Sequence, residues 1–130
     1  MTRIFKNVWF AKFARKNRIS NEVLADAVVR ADLGLVDADL GSGVIKQRIA
    51  RNNMGKSGGF RSVIIFKRGE IAIFVFGYAK NDLGSLDDID LSNFRRSAKL
   101  VLEFSDADIK SELKSGRLLE VRYGKAQIQK

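Results

Sequence analysis

The sequence contains no cysteine, no histidine and no proline among its 130 residues. Without cysteine there is neither a disulfide framework nor a thiolate metal site, and a reducing cytoplasm is the simplest compartment for such a chain. Without histidine, the chain lacks the commonest general base and the commonest zinc ligand. Any chemistry must come from lysine, arginine, carboxylate, tyrosine or hydroxyl groups, and we expect neither a metal nor another cofactor.

Long apolar runs are also missing. No segment approaches the roughly 20 apolar residues that a membrane helix needs, and the basic segment 1–17 lacks the continuous apolar region of a signal peptide. No low-complexity or proline-rich tract marks a linker. At this length, with 45% hydrophobic residues, we expect one compact domain over residues 1–130 and no membrane partner.

The net charge of +9 is unevenly distributed along the chain. Residues 1–20 hold six basic and no acidic side chains, and residues 41–80 hold eight basic side chains against one glutamate. The segments 21–40 and 81–110 are acidic. This separation predicts a surface directed at a polyanion, with nucleic acid as the favoured partner. A solvated basic surface without a ligand is the alternative.

Helical spacing of apolar residues dominates the first third of the chain. Asn7 and Ser20 are suitable N-caps for two helices, and Gly34 is a natural stop for the second. These signals predict a helical hairpin. The short segment 2–6 before it is expected to be an edge strand.

The hydrophobic period then changes from 3.6 to two. Residues 44–50, 60–67 and 71–79 are rich in isoleucine, valine and phenylalanine, which predicts three consecutive antiparallel strands. The preceding segment 36–40 is either a further strand or a connection.

Helical spacing returns in a C-terminal extension at about 86–116. Ser105 and Asp108 resemble a capping box, and Gly116 is placed to end the last helix. The expected fold class is therefore α+β, with an N-terminal helical hairpin packed on a twisted antiparallel sheet and helices at the C-terminal end.

Basic side chains concentrate on the predicted sheet. Alternation along the first strand places Lys46 and Arg48 on one face. Arg61 opens the second strand, and Lys80 follows the third, so we expect the last two residues to be neighbours. Cations placed together repel unless an anion lies between them, which predicts a phosphate-binding groove. Four independent solvated charges are the alternative.

The segment 55–59 is Gly-Lys-Ser-Gly-Gly, and its first three residues resemble the end of a nucleotide-binding phosphate loop. However, Ala50 stands where that loop needs glycine, and a strand follows where it needs a helix, so ATP or GTP binding is not expected. Glycines here can let the backbone approach an RNA phosphate, with Lys56 and Ser57 as contacts. A flexible hairpin loop is the alternative. Lys67 and Tyr78 complete the predicted RNA-binding set.

Three other groups have more than one interpretation. Four carboxylates, at Asp82, Asp87, Asp88 and Asp90, are more typical of helix caps than of metal ligands. Three aromatic residues, Trp9, Phe10 and Phe13, are more typical of a core than of a base-stacking platform. Tyr78 shares an alternating strand face with Lys80 and with Phe74 and Phe76, so both a buried and an exposed position stay open.

Three segments together resemble the RelE/HigB superfamily of type II toxins, in its branch with a GKSGGxR loop. They are residues 37–51, 55–62 and 74–81. The likeness covers roughly residues 3–115. It implies a small microbial-RNase-like α/β domain and cleavage of mRNA, often inside the ribosome.

The resemblance also implies roles for the basic residues. Arg61 matches the residue that contacts the scissile phosphate, and Lys80 falls where the next strand ends in a catalytic basic residue. Lys46 and Arg48 resemble the basic pair that orients the RNA or assists proton removal. In this reaction the RNA's own 2′-hydroxyl attacks the phosphorus, so the protein needs no metal and no nucleophile. Some members use a histidine or tyrosine near the C-terminus, where this chain has Tyr123.

Two other functions remain open at this point. The superfamily includes ParE-type toxins that act on gyrase without cutting RNA, although the four basic residues favour a ribonuclease. A nucleic-acid-binding module without chemistry is the third interpretation. The resemblance implies mRNA, the ribosome and a small helix-turn-helix antitoxin as partners.

Overall fold

The computed structural model of the chain describes residues 2–51, 55–79 and 88–123. Its elements follow in the order β1 (Arg3–Asn7), α1 (Val8–Lys16), α2 (Asn21–Asp32), β2 (Ala38–Gly41), β3 (Val44–Arg51), β4 (Gly55–Lys67), β5 (Ile71–Ala79), α3 (Asp88–Val101), α4 (Asp106–Ser115) and β6 (Leu118–Glu120).

Six strands form one sheet in the order β2-β3-β4-β5-β1-β6. Strands β3, β4 and β5 make the predicted antiparallel meander, and the segment before it contributes β2 at one edge. The sheet is mixed rather than wholly antiparallel, because β1 runs parallel to β5. The α+β class and the order of helices and sheet are confirmed.

The position of β1 differs from the expected edge strand. It lies between β5 and β6, and β6 is a three-residue strand that no sequence signal predicts. Consecutive residues Ile4 and Phe5 are both buried, in the cores on opposite faces of the sheet. A strand that is apolar on both faces belongs inside a sheet.

Helices α1 and α2 form the predicted hairpin on one face of the sheet. The Asn7 side chain accepts a hydrogen bond from the Phe10 amide at 2.8 Å, and Ser20 caps α2 in the same way. Gly34, with φ of +89°, follows the end of α2 in the left-handed conformation that glycine tolerates. Between this hairpin and the sheet lies the larger core, which includes Phe10 and Phe74.

Helices α3 and α4 pack against the other face. Their apolar side chains, including Phe94 and Ala98, contact a second core around Val44, Ile65 and Ile73. Ser105 and Asp108 form the predicted capping box, and α4 ends at a left-handed glycine. The sheet is thus enclosed between two helical layers.

The glycine-rich segment 55–59 is part of β4 and not a loop. Gly55 pairs with Arg51, and the register between β3 and β4 then shifts before the pair of Ile49 with Phe60. Glycine inside a strand often marks such an irregularity, because it has no side chain to pack. Pairing with β3 extends the strand despite the weak β-propensity of glycine.

A fully buried amide fastens α2 to β3. Gln47 donates hydrogen bonds to the carbonyls of Ala27 and Leu35, each at 3.0 Å, and accepts one from the Asp37 amide at 2.9 Å. These bonds hold the connection between α2 and β2 against the centre of the sheet. Gln47 stands on the core-facing side of β3, between the isoleucines at 45 and 49.

We expect Gln47→Leu to lower the free energy of unfolding by about 2–4 kcal/mol. The substitution leaves the Leu35 carbonyl and the Asp37 amide without their partner, and each lost buried bond costs about 1–3 kcal/mol. Urea denaturation measures the change. Ile45→Leu, which keeps the volume on the same face, is the control and should cost less than about 1.5 kcal/mol. Equal stability of the two variants would show that the amide bonds contribute little.

Candidate nucleic-acid interface

The sheet face that packs on α3 carries a line of polar side chains across three strands. Arg48 on β3 lies directly opposite Arg61 on β4, and Arg61 lies directly opposite Tyr78 on β5. Lys46 is two residues from Arg48 on the same face. Residues directly opposite in an antiparallel pair have Cβ atoms about 4.5–5.5 Å apart. We call Lys46, Arg48, Arg61 and Tyr78 the cross-strand row; the structure brings these four predicted residues together.

A β-bulge brings Tyr78 into the row. On β4, Val63 pairs with Phe76 of β5, but the following residue, Ile64, pairs with Phe74. Val75 is therefore an extra residue in β5. The bulge reverses the alternation along β5. Phe74 therefore lies in the core under the helical hairpin, whereas Phe76 lies on the opposite face. The expected common face for Phe74 and Tyr78 is wrong for this reason.

Three polar contacts hold Arg48 in place. Its guanidinium lies 3.4 Å from Asp37 Oδ1, and its backbone amide donates a hydrogen bond of 2.6 Å to Asp37 Oδ2. The Arg30 guanidinium donates a 2.6 Å hydrogen bond to the Arg48 carbonyl. Asp37 and Arg30 were not predicted as site residues. Asp37 falls within the segment that carries the family resemblance, but no sequence pattern marks it as a partner of Arg48.

Among the described residues, Arg61 has no partner comparable to those of Arg48. Its side chain is half-buried, and its Nη1 atom is enclosed without a hydrogen-bond acceptor in the part of the chain that the structure describes. An enclosed donor without an acceptor costs about 1–3 kcal/mol, and like charges directly opposite, as with Arg48, add to the cost. An anion bound at the row would relieve both penalties.

The Tyr78 side chain keeps its proton at neutral pH. Burial raises the pKa of its phenol, and the nearby positive charge of Arg61 opposes that rise. A protonated phenol beside a guanidinium can donate a hydrogen bond to a phosphate oxygen. The row therefore combines three cations with one neutral donor.

Other predicted residues stand apart from the row. Lys67 is at the far end of β4, six residues and roughly 20 Å from Arg61 at about 3.3 Å per residue. Its Nζ atom lies 3.6 Å from a Glu70 carboxylate oxygen. Lys80 and the side chains of Lys56 and Ser57 lie outside the described residues.

Tyr123 lies on the opposite side of the sheet from the row. It packs against the core under the helical hairpin and lines a cavity of about 360 Å³ with Asp32, Val29 and Leu33. Burial raises the pKa of its phenol, and the charge of Asp32 adds to the rise. Because Tyr123 is on the other face of the sheet, it cannot act beside Arg61 as the C-terminal histidine or tyrosine of some family members does.

The aromatic residues near the N-terminus divide between core and surface. Phe10 is buried as expected, and Phe13 is partly buried against the same core. Trp9 is 45% exposed, so the expectation of a core position is wrong for this residue. Its ring stacks on Phe13 and Phe76, and the rest of the indole faces solvent at the start of α1.

Acidic clusters and apolar helices were also sought in the described ranges. There, no group of three or more carboxylates is close enough to hold a metal ion. Asp82 and Asp87 lie outside these ranges, as does the side chain of Asp88. Among the helices of residues 2–51 and 88–123, none has the length and apolar character to span a membrane.

These features define a small basic α+β protein with a candidate anion-binding row on its sheet. Residues 2–121 match the model of the family described as the RelE toxin of the RelE/RelB toxin–antitoxin system. The chain therefore belongs to this family, as its sequence motifs indicate, and is the toxin of a pair that includes a cognate antitoxin. No individually curated protein matches the chain.

We expect Tyr78 to titrate above its ordinary pKa of about 10, and Arg61→Met to raise that pKa further. The methionine keeps apolar bulk but removes the charge that favours the phenolate. Tyrosinate absorbance in a Tyr123→Phe background measures Tyr78 alone, because the chain has two tyrosines. Stability should also fall above about pH 10, because the unfolded chain ionises there while the fold holds the proton.

Arg122→Met, a loss of the same charge beyond β6, is the control for this titration and should leave the Tyr78 pKa unchanged. A Tyr78 pKa that does not respond to Arg61→Met would show that the two side chains are not electrostatic neighbours.

Proposed function

We propose that this toxin is a metal-independent endoribonuclease that cuts mRNA and thereby inhibits translation. The observation that carries the proposal is the half-buried Arg61 guanidinium, which lies between Arg48 and Tyr78 and has an enclosed nitrogen without an acceptor among the described residues. A scissile phosphate would supply an acceptor for that nitrogen. The family and the basic composition support RNA as its source.

The chemistry needs groups that the row can provide. As the 2′-hydroxyl attacks, negative charge grows on the phosphate oxygens, and preorganised donors stabilise this charge more than they stabilise the ground state. Arg61 and Arg48 are placed to bind two of these oxygens. Tyr78 can donate a further hydrogen bond to one of these two non-bridging oxygens, because its phenol stays protonated.

A base must take the proton from the 2′-hydroxyl as its oxygen bonds to phosphorus, and an acid must protonate the 5′-oxygen whose bond to phosphorus breaks. From the family resemblance, we assign one transfer to Lys46, which lies two residues from Arg48 on the same face of β3. We assign Lys80 to the second transfer from the family resemblance. The RNA supplies the nucleophile, so no step requires a metal ion.

Two partners follow from this proposal. The family's frequent action inside the ribosome makes the translating ribosome the proposed place of cleavage. We further propose that the antitoxin is a small helix-turn-helix protein, encoded by the neighbouring gene, that covers the row with acidic side chains. Reading that gene tests the second point directly.

We expect Arg61→Ala to reduce single-turnover RNA cleavage by about 10²–10³-fold while the thermal melt changes little. Loss of one preorganised donor to a developing oxyanion has an effect of this size. Arg61→Lys should recover only part of the rate, because it restores the charge without the planar bidentate fork. Cleavage of mRNA with and without translating ribosomes, in the presence of EDTA, is the measurement.

Arg122→Ala serves as the matched control, since it removes an exposed arginine outside the row, and it should cleave like the parent. An Arg61→Ala protein that melts normally and still cleaves within threefold of the parent would refute the role of Arg61. Growth arrest without any RNA cleavage would point instead to a protein target, as for ParE-type toxins. Activity lost with EDTA and restored by magnesium would contradict the metal-independent reaction.

A further inference from the structure

Trp9 is an exposed indole in an otherwise well-packed region. Its ring stacks on Phe76 with centroids 4.6 Å apart and on Phe13 with centroids 5.4 Å apart. Two aromatic neighbours hold the ring in place, yet 45% of the residue remains accessible. A rigid indole presented to solvent is well suited to stacking on a planar ligand.

The aromatic contacts of Trp9 lead to the cross-strand row. Phe76 lies 6.1 Å from Tyr78, ring centroid to centroid, and Tyr78 is directly opposite Arg61. The β-bulge places Phe76 and Tyr78 on the same face. Trp9 is therefore connected to the candidate phosphate site by an unbroken series of aromatic contacts.

Basic residues continue from Trp9 along α1. Lys12 and Lys16 are three and seven residues after Trp9, which places all three on one side of the helix. Both lysines are exposed, and the first 20 residues of the chain contain no carboxylate side chain. This side of α1 thus offers positive charge next to an aromatic ring.

We propose that Trp9 is a nucleobase-stacking subsite on a track for single-stranded RNA, which runs from Arg61 over Tyr78 and Trp9 to Lys12 and Lys16. Aromatic rings that stack on bases, combined with cations that follow the backbone, are how proteins bind single strands. The substrate class rests on the proposed function. The subsite itself concerns binding and is testable without cleavage.

The charge around Trp9 favours RNA over a protein segment as its occupant. Each nucleotide brings together a planar base for Trp9 and a phosphate for Lys12 or Lys16, whereas a protein segment would have to supply an apolar side chain and carboxylates at matching positions. The subsite binds a base that neighbours the phosphate at Arg61, so it would fix the position of the strand for cleavage.

The fluorescence of Trp9 reports on the subsite directly, because it is the only tryptophan in the chain. We expect a short single-stranded RNA of mixed sequence to quench this fluorescence. The same oligonucleotide made abasic keeps the phosphates but has no base to stack, and duplex RNA keeps its bases paired. Both should quench much less. Equal quenching by the abasic strand, or no quenching by an RNA that binds, would overturn the proposal.

Substitutions test the same track through affinity. Trp9→Ala should weaken single-strand binding by about tenfold, within the range that a stacked base contributes, and Trp9→Phe should stay within about threefold of the parent. Lys12→Gln with Lys16→Gln should make the slope of log affinity against log salt shallower by about 1.4, since each phosphate contributes about 0.7. Binding of labelled RNA by fluorescence anisotropy measures both.

The matched control is Lys110→Gln with Lys114→Gln on α4, which makes the same charge change on exposed lysines outside the track. It should leave the salt slope unchanged. A parental affinity in Trp9→Ala, or equal slopes for the two lysine pairs, would contradict the track.

The outcomes separate this inference from the proposed function. Cleavage that depends on Arg61 but not on Trp9 would support the ribonuclease activity and contradict the subsite. Base-dependent quenching in a protein that cleaves no RNA would support the subsite and contradict the ribonuclease activity. Quenching of Trp9 by the antitoxin, with no quenching by RNA, would identify the patch as a protein interface and would overturn the proposal.

Discussion

The core and the candidate site both depend on the register among β3, β4 and β5. Along β4, the buried residues Phe60 and Ser62 flank Arg61, so a slip of one residue would bury the guanidinium and expose the phenylalanine. The same slip on β3 would exchange Arg48 with fully buried neighbours. Burial of apolar surface therefore enforces the alignment of Arg48, Arg61 and Tyr78. The site has its geometry because a slip of one residue would exchange the core and surface faces of these strands.

Polar groups within the sheet reinforce that register. The Ser62 hydroxyl donates a 2.9 Å hydrogen bond to the Gln47 carbonyl, in a region where both side chains are buried. The Gln47 amide in turn connects the strand to α2 and to the backbone of Asp37, whose carboxylate pairs with Arg48. A chain of specific bonds thus extends from the helical hairpin through the sheet to the cross-strand row. Without the Asp37 carboxylate, apolar packing alone would leave the Arg48 side chain free to adopt other rotamers.

Much of the fold could be predicted because its signals are local. The caps at Asn7 and Ser20, the capping box of α4 and the period of two in the meander each arise from neighbouring residues. The features that were missed depend on distant ones: β6 is too short to have a pattern, and β1 becomes an interior strand only through partners far along the chain. The bulge at Val75 and Phe76 leaves no local mark, and it decides which face Tyr78 occupies. Alternation places Gln47 on the core face of β3, but nothing local shows that its partners are the backbone groups of Ala27, Leu35 and Asp37.

The place of β1 between β5 and β6 also affects how the protein is made. The strand is synthesised before its partners, which begin at Ile71 and Leu118. Its pairing is incomplete until β6 has also been made. Contacts this distant in sequence form slowly, because loop-closure entropy must be overcome before they contribute. Until β6 is added, one edge of β1 exposes unpaired backbone N–H and C=O groups, which leaves the nascent sheet open to pairing with other chains.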